Sequence, residues 1–175
     1  NREKLFCRCP IVHEAPPNTA ICPVCTAQPG ARPMLPNTEA VEKILAIALM
    51  LDCSVNEKLI FQRKHYSWPD LPSGYQRTMS GSYATPVGEH GKFLGIGITE
   101  VHLEEDPAKW DPLTGRIDYN RSGMPLLEIV TAPEEMTVDG VRSWLRDLVT
   151  LLEYIHVLPK GASIKADVNV NVEGH

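Results

Sequence analysis

Hydrophobic positions along the chain follow helical spacing in two places and strand spacing in several others. After residue 37, Val41, Ile44, Leu45, Ala48 and Leu49 recur at the three- and four-residue steps of a helix, with Thr38 placed to cap it. From about Thr137 to Val157 a longer stripe recurs, made of Val141, Trp144, Leu145, Leu148, Leu152 and Ile155, which predicts an amphipathic helix. LIFQRKHY (59–66) joins β-formers to a basic cluster, and FLGIGITEVHLEED (93–106) alternates as a strand does. PLLEIVT (125–131) predicts a short strand with apolar residues on both faces. SIKADVNVNV (163–172) alternates most regularly: Ile164, Ala166, Val168, Val170 and Val172 take one face, and Lys165, Asp167, Asn169 and Asn171 the other. The Pro- and Gly-punctuated WPDLPSGYQRT (68–78) predicts a loop, as does DPAKWDPLTG (106–115).

These elements do not follow a strand–helix–strand rhythm, so the pattern predicts an α+β fold with an antiparallel sheet and packed helices. The 175 residues suffice for one domain with a real core. Within it, residues 1–36 are rich in Cys and Pro and read as a loop module; residues 37–175 carry the sheet and helices. No apolar stretch is long enough to span a bilayer, and no secretory signal opens the chain, so neither membrane nor secretion is expected. Both ends fall inside structured-looking runs, and the chain reads as a piece of a longer protein. The net charge of −5 argues against a non-specific nucleic-acid coat, while leaving room for a local basic groove.

Four of the five cysteines fall within the first 25 residues, as CRC (Cys7, Cys9) and CPVC (Cys22, Cys25). Paired spacing in a chain without a secretion signal points to a metal site in a reducing compartment rather than to disulfides. Four thiolates can close a tetrahedral zinc site that ties two loops together, with no coordination position left for catalysis. The same ligands can hold an iron–sulfur cluster, and His13 can replace a cysteine. Cys53 has no partner in sequence and reads as a core residue at a helix end.

Acidic residues then change the picture. Glu128 sits among Leu126, Leu127, Ile129 and Val130, where an uncompensated carboxylate is costly to bury. His102 and Glu104 project to one side of their strand and Glu105 to the other. If the strands share a sheet, the polar face collects Glu104, Glu128, Asp167 and Asn169, with His102 and Lys165 nearby. Such a set of oxygens needs a cation, and Mg²⁺ with a bound nucleotide phosphate suits it. Arg63 and Lys64 are adjacent in a strand and point to opposite faces, so at most one can serve that site. Arg121, in the turn DYNRSG, can reach a phosphate or pair with a carboxylate.

In order along the chain, KLFCRCP, PNTAICPVC, QPGARP, RKHYSWPDLPSGYQ, HLEED, DYNRSGMPLLEIVT and KADVNV resemble the B-subunit family of tRNA-dependent amidotransferases (GatB/GatE), over Lys4 to Val172. The resemblance implies a cradle like that of glutamine synthetase and the guanidino kinases, with a small zinc knuckle. It implies an ATP- and Mg²⁺-dependent carbon–nitrogen ligase. Such an enzyme phosphorylates the side-chain carboxylate of glutamate or aspartate on a mischarged tRNA, and ammonia from glutamine then displaces phosphate. The implied partners are an amidase (glutaminase) subunit, a small accessory subunit and the tRNA, which is gripped mainly by helical domains outside this chain. The implied location is the cytoplasm or an organelle matrix.

Carried over by motif, Glu104, Glu105 and Glu128 match the metal-and-phosphate site, and Arg63 and Lys64 of RKHY match the family's RKNY in the active cavity. Asp167 and Asn169 match the family's RCDAN, with Lys165 standing for its arginine; the charge is kept and the bidentate fork lost. Cys7, Cys9, Cys22 and Cys25 match zinc-bearing members. The family's first strand, with a Glu-x-His motif, is absent from this chain, so the piece alone is expected to be inactive. Two other readings compete: a zinc-knuckle module that binds nucleic acid or protein without catalysis, and a free-standing small-molecule ATP ligase.

Overall fold

The computed structural model of the protein describes residues 2–158 and 164–171. The chain divides into two compact units, Asn1–Glu135 and Met136–His175. Its elements run α1 (Thr38–Met50), β1 (Ser54–Val55), β2 (Gln62–His65), β3 (Tyr75–Thr78), β4 (Gly88–Phe93), β5 (Ile96–Glu105), β6 (Lys109–Trp110), β7 (Ile117–Asp118), β8 (Pro125–Thr131) and α2 (Val138–Tyr154). The α+β class with an antiparallel sheet is therefore as the hydrophobic pattern predicts.

In the first unit, residues 2–36 form a loop segment whose turns are closed by the backbone, as in Lys4 N to Cys9 O (3.1 Å) and Thr26 N to Cys22 O (3.1 Å). Helix α1 follows, capped by Asn37, whose side chain accepts from Ala40 N at 3.0 Å. The expected cap, Thr38, is instead the first helical residue; asparagine holds the orphan amide at least as well. The buried stripe is Ala40, Ile44, Ile47 and Ala48, whereas Leu49, expected inside, is 67% exposed. The helix lies over β4 at two glycines. A Cβ at Gly88 would meet Ala48 Cβ at 2.9 Å, and one at Gly91 would meet the Leu51 carbonyl oxygen at 2.5 Å. Only glycine permits that approach. Cys53 is buried beside them, in the core role expected of it.

Strand β5 is the spine of a six-stranded antiparallel sheet: β4 and then β3 pair along one side of it and β8 along the other, with β1 beside β4 and β2 beside β3. The 93–106 segment is not one strand. Leu94 (φ 46°) and Gly95 (φ 89°) form a two-residue reversal, so Phe93 ends β4 and β5 begins at Ile96. The 68–78 loop likewise ends early, because Tyr75–Thr78 pairs with β2 and becomes β3. Within the 106–115 loop, Lys109–Trp110 pairs with Ile117–Asp118 as a small ladder.

The ladder between β4 and β5 breaks where His90 (φ 56°) and Thr99 are left unpaired. Against β8 the register shifts between Ile98 and Glu100, leaving Thr99 as an extra residue, and Ile98 and Val101, three residues apart, are both buried. With Leu103, Ile44, Ile47, Leu51, Met79 and Val87 they form the core, each at most 2% exposed. Val101 pairs with Gly88, which faces α1, so the core lies between α1 and this face of the sheet. His102, Glu104 and Glu128 occupy the opposite face.

The second unit contains α2, capped by Thr137, whose hydroxyl accepts from Gly140 N at 3.1 Å. Trp144, Leu148 and Leu152 are its buried residues, at the predicted spacing. The helix ends at Tyr154, three residues before the expected Val157. Residues 164–171 are exposed and not in a strand, against the expectation of a strand over 163–172; Ser163 and Val172 lie outside the described residues. Alternation alone cannot make a strand: the backbone needs a neighbour for its hydrogen bonds, and no partner strand pairs with this segment among the described residues. Among the described residues no helix is long and apolar enough to cross a membrane.

Candidate active site and metal centres

Cross-strand pairing builds the acidic site. His102 of β5 stands opposite Glu128 of β8, and Glu104 lies two residues along the same face. His102 Nε2 is 3.0 Å from Glu128 Oε2 and 3.8 Å from Glu104 Oε2, while Nδ1 is 3.0 Å from Glu100 Oε1. The imidazole is fully buried, yet neither ring nitrogen makes an aligned hydrogen bond. One ligand atom from each of His102, Glu104 and Glu128 falls within 4.8 Å of the others, a spacing that a single cation can bridge.

Electrostatics make the same point. Burial opposes a charged His102, but the surrounding Glu104, Glu128 and Glu100 carboxylates outweigh it and hold its pKa above the ordinary value. Burial pushes Glu104 up, but the His102 contact, with help from Thr78 and Gln76, pulls its pKa below the usual carboxylate range. Three carboxylates share one imidazole, so even an imidazolium leaves net negative charge. A divalent ion between Nε2, Glu104 and Glu128 would fit that excess.

The structure gathers some predicted site residues and disperses others. Glu128 is not buried, as its apolar neighbours suggested; its side chain is 53% exposed on an outer strand. Glu105 turns to the face opposite Glu104, where Arg77 Nη1 meets its carboxylate at 3.1 Å. Burial, only partly offset by Arg77, raises the Glu105 pKa. Lys64 pairs with Gln76, and Thr78 with Glu104, so Lys64 lies on the carboxylate face; Arg63 lies on the other, its guanidinium 5.4 Å from the Tyr75 ring centroid. Arg121 holds Asp106 bidentately, at 2.5 and 2.7 Å, beside a cavity of about 310 Å³ also lined by His13, Lys109 and Asp118. Lys165, Asp167 and Asn169 belong to the second unit and are exposed, with Lys165 Nζ 3.0 Å from Asp167 Oδ2. Neither unit by itself contains the expected meeting of Asp167 with Glu104 and Glu128. His102 is the site residue that sequence reading undervalued; its signal was the two-residue step to Glu104.

The cysteines converge separately. Cys7, Cys9, Cys22 and Cys25 are free thiols whose sulfurs lie within 4.8 Å of one another. Cys25 Sγ is 3.9 Å from Cys22 Sγ and 4.0 Å from Cys9 Sγ. A tetrahedral zinc ion with bonds of about 2.3 Å spaces its sulfurs by about 3.8 Å, so the donor set fits. A hydrogen bond from Cys7 holds Cys25 down to about 4, against the push of burial, while burial pushes Cys9 up to about 12. His13 lines the neighbouring cavity and is not one of this group.

Two donor sets that could each hold a metal ion, His102 with Glu104 and Glu128 on a sheet face and four cysteines in a loop segment, set the class of protein to which this chain is compared. Over residues 1–175 the chain matches the GatB/GatE catalytic domain, and it belongs to that family. It is 55% identical over 172 residues to the B subunit of aspartyl/glutamyl-tRNA(Asn/Gln) amidotransferase from Methanococcus aeolicus, covering 97% of this chain and 36% of that protein. The protein of the same name from Methanothermobacter thermautotrophicus is 53% identical over 175 residues, covering 99% and 38%. That of Methanopyrus kandleri is 51% identical over 176 residues, covering 99% and 37%. The chain thus spans little more than a third of the length of these curated relatives.

Proposed function

We propose that this chain is the carboxylate-activating part of the B subunit of a tRNA-dependent amidotransferase. The γ-phosphoryl group of ATP passes to a side-chain carboxylate oxygen of Glu-tRNA(Gln) or Asp-tRNA(Asn), giving an acyl phosphate and ADP. Ammonia from a partner glutaminase subunit then attacks the acyl carbon, phosphate leaves, and the amide remains. Phosphorylation is needed because a carboxylate has no adequate leaving group. The relatives' names support the substrate class, and the juxtaposition of His102, Glu104 and Glu128 carries the reading.

In this reading those three residues hold Mg²⁺, which when bound neutralises charge on the phosphates. Glu104 is kept ionised by His102, and Lys64 on the same face offsets phosphate charge. Lys165, Asp167 and Asn169 supply further nucleotide contacts, and Glu105, Arg63 and Arg121 support the walls of a cradle. The four cysteines hold a structural zinc ion. The small accessory subunit and the tRNA-gripping domains complete the enzyme.

The test is Glu128→Gln in the complete, reconstituted enzyme. ATP-dependent amidation is expected to fall on the order of a hundredfold, with glutaminase activity retained. Unchanged amidation would remove Glu128 from the site and favour a zinc-knuckle interaction module instead.

A further inference from the structure

The cysteine module contains a buried cation that the proposed chemistry does not use. Lys4 is 1% exposed. Its ammonium donates to the Tyr119 carbonyl oxygen at 3.0 Å and to Cys25 Sγ at 3.4 Å. An ammonium removed from water is costly unless an anion compensates it. The carboxylate ion pairs among the described residues do not include Lys4. Glu105, whose carboxylate lies near the same Gly123 as the Lys4 stem, is held by Arg77. That leaves the sulfur of Cys25. Four thiolates around a divalent ion carry more negative charge than the ion offsets, and an internal cation is the natural complement.

We propose that Lys4 is the built-in counter-cation of the four-cysteine metal centre, hydrogen-bonded to the Cys25 sulfur and anchored by the Tyr119 carbonyl. The inference rests on reading the quartet as a metal site. Cys25 Sγ also accepts from Cys22 N at 3.2 Å, so two donors converge on this one sulfur. Lys4 is a positioning residue. Its anchor on Tyr119 joins the module to the turn before β8, where Leu5 N donates to Gly123 O at 2.8 Å and Ser122 Oγ to Cys25 O at 2.9 Å.

The test compares the full-length chain with Lys4→Met, which keeps the stem and removes the charge, and with Lys4→Arg, which keeps the charge. Zinc affinity is read by competition with a chromophoric chelator, and cobalt(II) loading by its thiolate-to-metal charge-transfer band. Lys4→Met is expected to weaken zinc binding by about tenfold to a hundredfold and to shift the cobalt band, and Lys4→Arg to recover most of both. A wild-type chain that takes up no zinc and gives no such band overturns the metal reading, and this inference with it. If wild type binds and Lys4→Met matches it in affinity and band position, the metal site stands and the role of Lys4 is overturned. Should Lys4→Met not fold, wild type decides. In lysine-labelled protein the Lys4 Nζ magnetic resonance is expected to shift when cadmium replaces zinc, and an unmoved resonance overturns the proposal.

Discussion

Glu128 stands where a short apolar strand would ordinarily place another Leu or Val, and its cross-strand partner supplies the reason. It faces His102, whose buried ring has carboxylates near both nitrogens. The raised pKa of His102 means that it keeps its proton to higher pH in the folded, metal-free chain than in the unfolded one. Its contribution to stability is then complete below the unfolded value of about 6.5 and is lost as pH rises through the higher folded value. In urea titrations of the metal-free protein, wild type should lose stability over that rise relative to His102→Gln; parallel curves would count against the assignment. Cation binding needs the neutral ring, so Mg²⁺ affinity should fall on acidification, with proton release measurable by calorimetry in two buffers.

At the level of elements, strand alternation sorts the basic pair that sequence alone left open. The β2–β3 and β3–β5 registers place Lys64 on the face of Glu104 and Arg63 on the face of Glu105 and Arg77. Lys64→Ala should lower ATP-dependent amidation by about tenfold or more, whereas Arg63→Ala should leave it within about threefold. Equal losses measured in the reconstituted enzyme would mean that the register does not decide function. The prediction of loop through residue 78 failed because Pro and Gly punctuation ends at Gly74. The next four residues are recruited by pairing with β2, which local propensity does not report.

On the scale of the first unit, the cysteine segment is fastened into the fold rather than appended to it. Backbone bonds run from Met34 N to Phe6 O (2.9 Å) and from Asn37 N to Leu5 O (2.8 Å), and Leu5 N reaches the turn before β8. A metal at the quartet therefore stabilises the whole unit by mass action, by about 2.7 kcal/mol at a hundredfold excess over its dissociation constant. Chelation should lower the thermal unfolding midpoint of the full-length chain, and readdition of zinc should restore it. An unchanged midpoint in a chain shown to lose metal would deny the quartet a structural role.

The amino-acid sequence by itself determined the class of fold, both helices, the β8 strand, the membership of the cysteine quartet and the family. These follow from spacing and motif, which are local properties of a chain. The two-residue step also put His102 beside Glu104 and turned Glu105 away; tertiary structure alone decided that Glu128 stands opposite His102, that Arg77 takes Glu105, that Lys64 rather than Arg63 shares the carboxylate face, and that Lys4 lies against Cys25. Pairing between strands distant in sequence set the strand outcomes, because register is a relation between segments that neither segment encodes alone.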